Sequence, residues 1–294
     1  MPMLRAATVY LNGQFISHDR ACISPDDRGF YFADGVYEVI KYYKNHGFYL
    51  DAHMSRLKSS LSEVKINFSE IEKLPAVCAS LIEANQFKKR YAGVYIQITR
   101  GATKRVHRFP DGDVKPTIYA RAFHMDSCIT QLADGVEVMT RDDIRWLRCH
   151  IKSIALLPNT MLYEEVAQKG GFECVLVRDG YITEATHSNI LAVKGGIVQT
   201  HHDSNLILPG ITKMAVLDIC RKLSIPVEEK PIEATRIGEY DEWFLTGTGS
   251  EVIPVVKIDN TIIGNGKPGP VTRRIQNEFF KITYEQLAGE SIDL

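Results

Sequence analysis

Three two-residue turns, Asn12-Gly13, Asp179-Gly180 and Gly195-Gly196, most narrow the folds open to this sequence. Each follows a run rich in β-branched and aromatic residues, and such pairs close antiparallel hairpins because both positions accept positive φ. The first joins residues 8–11 to 14–16. The second joins 174–177 to 181–184, and the third ends the strand 189–193. Further strands are expected at 35–43, 93–100, 117–120, 135–140, 242–246 and 252–258. In 35–43, alternation puts Tyr37, Val39, Lys41 and Tyr43 on one face and Val36, Glu38, Ile40 and Tyr42 on the other.

Helical spacing separates these strands. Asp51 is placed to cap a helix carrying Met54, Leu57, Leu61 and Val64, with Arg56 beside Leu57. Residues 71–84 form a second helix that Pro75 kinks or delays. A third, 158–169, stops at Gly170-Gly171, a fourth opens at Leu208-Pro209-Gly210-Ile211-Thr212, and a fifth spans about 271–287. Residues 26–29 read as a polar turn and 101–115 as a polar loop. The stretch 123–134 shows no clear period. The expected organisation is a small α/β domain at 1–122, a linker at 123–134, and a larger domain at 135–294 that contains Lys152.

A chain of 294 residues, 45% hydrophobic and 24% charged, is long enough for two cores. Its net charge of −1 gives no reason to expect nucleic acid or an anionic membrane as partner. The start lacks the apolar core of a signal peptide, and no apolar run reaches membrane-span length, so a cytoplasmic protein is expected. The six cysteines are scattered without a C-x-x-C pair, which reads as reduced thiols with no metal site.

Several residues carry possible chemistry. Lys152 lies in an apolar stretch downstream of Arg145 and Arg148. Burial and like charge favour the neutral amine, the form Schiff-base chemistry needs; a solvated lysine at a strand end is the other reading. Gly210-Ile211-Thr212 at a helix start offers unpaired N–H groups and a hydroxyl to an anion. Gly247-Thr248-Gly249 follows a strand and permits close backbone approach, although it lacks the third glycine of a dinucleotide fingerprint. Glu184 ends a strand, either as a surface carboxylate or as a partner for a heterocyclic nitrogen. Arg105 and His107, two apart in an extended loop, point the same way and suit a carboxylate; with Lys104 and Arg108 also charged, a solvated basic loop is the other reading. His201-His202-Asp203 lacks a third ligand and reads as a polar loop.

Together these pieces resemble the fold-type IV pyridoxal-phosphate enzymes, and within them the bacterial D-amino acid aminotransferases. The resemblance runs from about Val9 to Phe280. It is carried by Asp27-Arg28-Gly29-Phe30 and Asp34-Gly35-Val36-Tyr37-Glu38-Val39, by Thr99-Arg100-Gly101 with Arg105-Val106-His107, and by Asp143-Ile144-Arg145-Trp146-Leu147-Arg148-Cys149 with Ile151-Lys152-Ser153. Thr183-Glu184 with Ser188-Asn189, Ile207-Leu208-Pro209-Gly210-Ile211-Thr212, and Ser250-Glu251 with Pro254-Val255 complete it. The Arg105-Val106-His107 triplet is most specific to the D-amino acid branch.

The resemblance implies a two-domain α/β fold, a small N-terminal domain followed by a larger pseudo-barrel domain. It implies bound pyridoxal 5′-phosphate, held covalently by Lys152, which also moves the substrate's α-proton. Glu184 would pair with the pyridine nitrogen, Arg56, Ile211, Thr212 and Thr248 would hold the phosphate, and Arg145 would lie on the O3′ side of the ring. Tyr37, Arg105 and His107 would trap the substrate carboxylate, the last two from the partner subunit of a homodimer with shared active sites. Amino acids and 2-oxo acids are the implied small-molecule partners, and D-alanine with 2-oxoglutarate the representative pair. A branched-chain L-amino acid aminotransferase, an aminodeoxychorismate-type lyase and a non-catalytic cofactor-holding protein are the alternatives. The chain departs from the pattern at His150, at Ala185-Thr186-His187, and at Gly247 and Gly249, where relatives carry hydroxyl residues.

Overall fold

In the computed structural model, residues 7–88 and 91–285 are described, and the chain divides into two compact units. The first comprises residues 1–126 with 151–155, the second 127–150 with 156–294. Residues 151–155 join the first unit despite their place in the sequence. Ser153 forms a β-bridge with Val36, the Tyr37 N–H donates to the Lys152 carbonyl at 2.9 Å, and Ile154 N–H donates to the Gly35 carbonyl at 3.1 Å.

The first unit is built on one antiparallel sheet. Its elements are β1 (Thr8–Leu11), β2 (Gln14–Ser17), α1 (Arg28–Phe32), β3 (Gly35–Tyr43), β4 (His46–Gly47), α2 (Leu50–Glu63), α3 (Leu74–Ala84), β5 (Tyr91–Thr99) and β6 (Thr117–His124). The sheet order is β2-β1-β6-β5-β3-β4. The Asn12-Gly13 turn takes positive φ at both residues, as a two-residue hairpin requires. Val36, Ile40 and Tyr42 pack with Met54, Leu57 and Leu61 of α2 and with Leu74, Cys78, Leu81 and Ile82 of α3. Each large side chain buried there contributes about 1.5–3 kcal/mol.

Two local expectations for this unit change, and a third holds. Residues 26–29 are not only a turn: Asp27 accepts the Gly29 N–H at 2.8 Å and caps α1, since a carboxylate satisfies an open helix start. Asp51 is not a cap but sits inside the first turn of α2, after Tyr49 in a left-handed conformation. Pro75 delays its helix as anticipated: a short 3-10 turn, Ile71–Lys73, precedes α3, and the proline falls in the first helical turn, where no N–H is needed.

The second unit carries α4 (Ile129–Asp134), β7 (Val136–Asp142), α5 (Leu157–Ala167), β8 (Cys174–Arg178), β9 (Tyr181–Ala185), β10 (Asn189–Lys194), β11 (Ile197–Thr200), α6 (Ile211–Lys222), β12 (Val227–Glu229), β13 (Ile232–Glu233), β14 (Glu242–Gly247), β15 (Glu251–Ile258), β16 (Thr261–Ile262) and α7 (Pro270–Glu285). Its mixed sheet runs β12-β11-β10-β14-β15-β7-β8-β9-β13, with β16 paired to β15. Parallel pairs occur at β11/β12, β15/β7 and β7/β8. The stretch read as a linker, 123–134, contains the end of β6 and the whole of α4. Residues 286–287, the expected end of the last helix, lie outside the described residues. Among the described residues, no helix is long and apolar enough to cross a membrane.

Candidate active site

In the first unit, Lys152 is half-buried and held by its backbone: its N–H donates to the Ser60 hydroxyl of α2 at 3.2 Å, and its carbonyl accepts from Tyr37. The Lys152 ammonium nitrogen lies 4.3 Å from the centroid of the Tyr37 ring, and that ring stacks on Tyr95 at 5.7 Å. An amine over an aromatic face, when protonated, gains about 0.5–2 kcal/mol, which favours this resting place.

Arg56 is set from the opposite face of the same strand. Glu38 is fully buried on the apolar side of β3, and Arg56 grips it with two N–H groups, Nε to Oε1 and Nη2 to Oε2, each at 2.8 Å. His53, one helical turn earlier, lies with Nδ1 2.8 Å from Oε2. Burial alone would raise the Glu38 carboxyl. Arg56 and His53 overcome that and hold it well below the usual carboxylate range. Burial lowers the His53 pKa, with Glu38 pulling the other way. The sequence offered a signal for this triad: a carboxylate on the Val36/Ile40/Tyr42 face needs a buried partner. His53 and Arg56, three apart, share one helix face.

Arg105 and His107 both approach the ring of Phe32. The Arg105 guanidinium carbon is 5.2 Å from the Phe32 ring centroid, and the His107 ring centroid is 5.3 Å from it. Both residues are exposed, in a loop without regular structure. Tyr37 keeps different company, with Lys152 and Tyr95.

In the second unit, Glu184 ends β9 almost fully buried. Arg145 Nη1 donates to Oε1 at 2.5 Å, and Asn189 Nδ2 and the Leu208 N–H donate to Oε2, both at 3.0 Å. A carboxylate has about four acceptor positions, so one remains for a further N–H donor. Burial pushes the Glu184 carboxyl up to about 7, against the pull of Arg145 and the Leu208 N–H. Arg145 is also committed to Asp143 through Nε and Nη2, each at 2.9 Å.

The same hydrogen bonds tie Glu184 to the start of α6. Asn189 Nδ2 donates to the Leu208 carbonyl at 2.9 Å, and Gly210 is the cap residue. A Cβ at Gly210 would lie 1.9 Å from Asn189 Oδ1, so the loop can close over Asn189 only with glycine there. Ile211 and Thr212 follow as the first buried residues of a twelve-residue helix, whose positive end faces that loop. Thr248 is half-buried in the turn joining β14 to β15, and two residues before it the Thr246 hydroxyl is buried without a partner. Asn189 carries part of the resemblance, but the sequence alone assigns it no function. Its signal was a polar residue opening the apolar strand 190–193.

The departures have physical correlates. A Cβ at Gly247 would lie 2.6 Å from Ser250 Oγ and 3.0 Å from Ser188 Oγ, and those two hydroxyls are 3.2 Å apart. Two serine hydroxyls thus crowd the space a hydroxyl residue at 247 would need. His187 is half-exposed, and its N–H donates to the buried Glu173 carboxylate at 2.7 Å. His201-His202-Asp203 is a loop anchored by Lys213, whose ammonium reaches the His201 carbonyl at 2.8 Å and Asp203 at 2.9 Å.

Residues 35–258 match the family model for amino-transferase class IV. The chain is 40% identical over 270 residues to the D-alanine aminotransferase of Bacillus licheniformis, covering 91% of this chain and 94% of that one. It is 39% identical over 274 residues to the D-alanine aminotransferase of Staphylococcus haemolyticus, covering 93% and 96%. Among solved structures it is similar to the branched-chain amino acid aminotransferase of Escherichia coli, with a TM-score of 0.88 at 26% identity over 95% of each chain. The chain belongs to the class IV aminotransferases, pyridoxal-phosphate enzymes of fold type IV.

Proposed function

We propose that this aminotransferase acts on D-amino acids, moving the amino group of a donor such as D-alanine to a 2-oxo acid such as 2-oxoglutarate. The observation that carries this reading is the approach of Arg105 and His107 to one ring, that of Phe32, a cation and an imidazole both open to solvent. Relatives named D-alanine aminotransferase, 36–40% identical, support it. The similarity in structure to a branched-chain aminotransferase favours the second reading, action on L-substrates. Replacing Arg105 with Ala separates the two. Loss of turnover with D-alanine supports the first reading, and unchanged D-alanine turnover removes the pair from substrate recognition.

The residues present fit pyridoxal 5′-phosphate. Glu184 keeps one acceptor position for a ring N–H, the Thr246 hydroxyl is buried without a partner, and Gly210 leaves the α6 start clear of any Cβ. Lys152, Glu184, Arg56, Ile211, Thr212 and Thr248 would hold it, with Arg145 acting through its bond to Glu184. The group supplies an electron sink for the substrate's α-carbon and carries the amino group from donor to acceptor. Lys152 would take the proton from the donor's α-carbon and deliver it to the cofactor carbon that bears the transferred nitrogen, working from a position set by Ser60 and Tyr37. Glu184 presents negative charge where a ring nitrogen gains positive charge. Arg56, immobilised by Glu38, offers a pre-oriented cation to phosphate. Arg105, His107 and Tyr37 orient the substrate carboxylate, which decides the face on which Lys152 acts.

We further propose a homodimer with shared active sites, working in the cytoplasm on small amino and oxo acids. Phe30, 78% exposed in the first unit, is the kind of side chain a second subunit covers. A Lys152→Ala protein should lose turnover and its near-visible absorbance. Full turnover by that variant would remove Lys152 from the mechanism.

A further inference from the structure

Arg105 and His107 sit on an exposed segment without regular structure, yet recognition of a carboxylate needs them held still. The segment 104–109 is exposed at every residue, and Val106 and Phe109 are each about half-exposed. Little of its own packing fixes it. The fixing groups lie beneath it. Arg28 of α1 is 2% exposed, and its Nη1 donates to the Val106 carbonyl at 2.6 Å and, more weakly, to the Arg108 carbonyl at 3.4 Å. Those are the two carbonyls flanking His107. Arg28 Nε pairs with Asp34 Oδ2 at 2.7 Å, and its guanidinium lies 4.7 Å from the Phe32 centroid, the same ring that Arg105 and His107 approach.

A second buried arginine shares Asp34. Arg100 meets both Asp34 oxygens, Nε to Oδ2 at 2.8 Å and Nη2 to Oδ1 at 2.9 Å. Its guanidinium lies 3.7 Å from the centroid of the Phe109 ring, at the other end of the segment. It also donates to the Val64 and Lys65 carbonyls, at 2.7 and 2.8 Å, at the end of α2, the helix that carries Arg56. One carboxylate, Asp34, thus orients two arginines whose remaining donors and ring faces hold the loop.

We infer that Arg28, Asp34 and Arg100 form a buried clamp that positions the Arg105–His107 loop for the substrate carboxylate, with Phe109 as its outer catch. The inference rests on the reading of Arg105 and His107 as carboxylate-binding residues. Arg28, Asp34 and Arg100 are positioning residues and touch no substrate. A lysine at position 28 keeps the charge opposite Asp34 but lacks the planar fork that reaches two carbonyls and a carboxylate together.

The test compares the holoenzyme with its Arg28→Lys, Phe109→Ala and Arg105→Ala variants, measuring steady-state kinetics with D-alanine and amide hydrogen exchange over residues 101–115. The expected result for Arg28→Lys is a KM raised about tenfold, with kcat falling by less, and faster exchange confined to the loop. Phe109→Ala alters a half-exposed side chain, so it keeps the fold if Arg28→Lys does not, and the same changes are expected at smaller size. Unchanged KM and unchanged loop exchange in both folded variants would overturn the clamp. An Arg105→Ala protein with unaltered KM would instead overturn the carboxylate reading, and loop exchange in the other two variants would still decide the clamp.

Discussion

Two buried glutamates show how a carboxylate's neighbours decide its task. Glu38 receives two N–H groups from Arg56 and lies beside His53, and it is held well below its ordinary value of 4.5. Its contribution to stability is present above that value and lost as pH falls below it. Glu38→Gln leaves Arg56 buried without its counter-charge and should cost about 3–5 kcal/mol in urea or thermal unfolding. On the proposed role of Arg56 at the phosphate, it should also weaken cofactor retention, because a neutral partner orients the guanidinium less firmly. Glu184 is the opposite case: burial raises it to about 7, above its ordinary 4.5. A carboxyl raised by folding binds its proton more tightly in the native state, so its contribution falls as pH rises from about 4.5 to 7. The apoprotein should therefore lose up to about 1.4 kcal/mol per pH unit from this group across that window. The difference in unfolding free energy between wild type and Glu184→Gln isolates the slope, and parallel pH profiles for the two would contradict it. On its proposed role opposite the ring nitrogen, Glu184→Gln should lower kcat of the holoenzyme by about 100-fold or more, since the variant removes that charge. From its own strand, Glu184 reads first as a surface carboxylate, the usual fate of the residue. Its donors come from residues 145, 189 and 208, and no local pattern could show that they converge.

At the scale of elements, the start of α6 was legible because its cause is local: glycine, an unpaired helix end and a threonine are adjacent in the chain. What the chain could not display is the reason for the glycine, a side chain 21 residues earlier. Gly210→Ala would drive a Cβ into Asn189 Oδ1 and push apart the Asn189–Glu184 bond. A loss of about 1–3 kcal/mol and weaker cofactor binding are expected, measured by thermal unfolding and by fluorescence titration of the apoprotein. Retained stability and affinity would mean the loop has room to spare. The hairpins were legible for the same local reason, since Asn12-Gly13, Asp179-Gly180 and Gly195-Gly196 all take positive φ. Strands of two or three residues, such as β12, β13 and β16, escaped because a period cannot be read from so short a run. The helix at 28–32 was hidden in a polar stretch for a related reason: Asp27 reads alike as a turn residue and as a cap.

For the whole molecule, the sequence order and the packing order differ at Lys152. The residue lies past the middle of the chain, but backbone pairing of residues 152–154 with Tyr37, Val36 and Gly35 places it with the first unit. Sequence reading cannot anticipate such a return, because a five-residue segment carries no pattern naming its partner strand. The proposed sharing of sites across a dimer also belongs to this scale. Lys152→Ala and Arg105→Ala proteins, each inactive alone, should regain activity when refolded together, since mixed dimers then contain one site with both residues intact. No recovery from a mixture that has exchanged subunits would mean each chain serves its own site. The most direct measurement of the central claim is the near-visible absorbance of the purified protein, recorded before and after D-alanine is added without an oxo-acid acceptor. L-alanine and L-leucine are run in parallel. Bleaching by D-alanine alone is the expected result, because a D-specific transaminase completes its first half-reaction with no acceptor present. Bleaching by L-leucine and not by D-alanine would contradict the assignment to D-amino acids, and a protein colourless after reconstitution with pyridoxal phosphate would contradict the site itself.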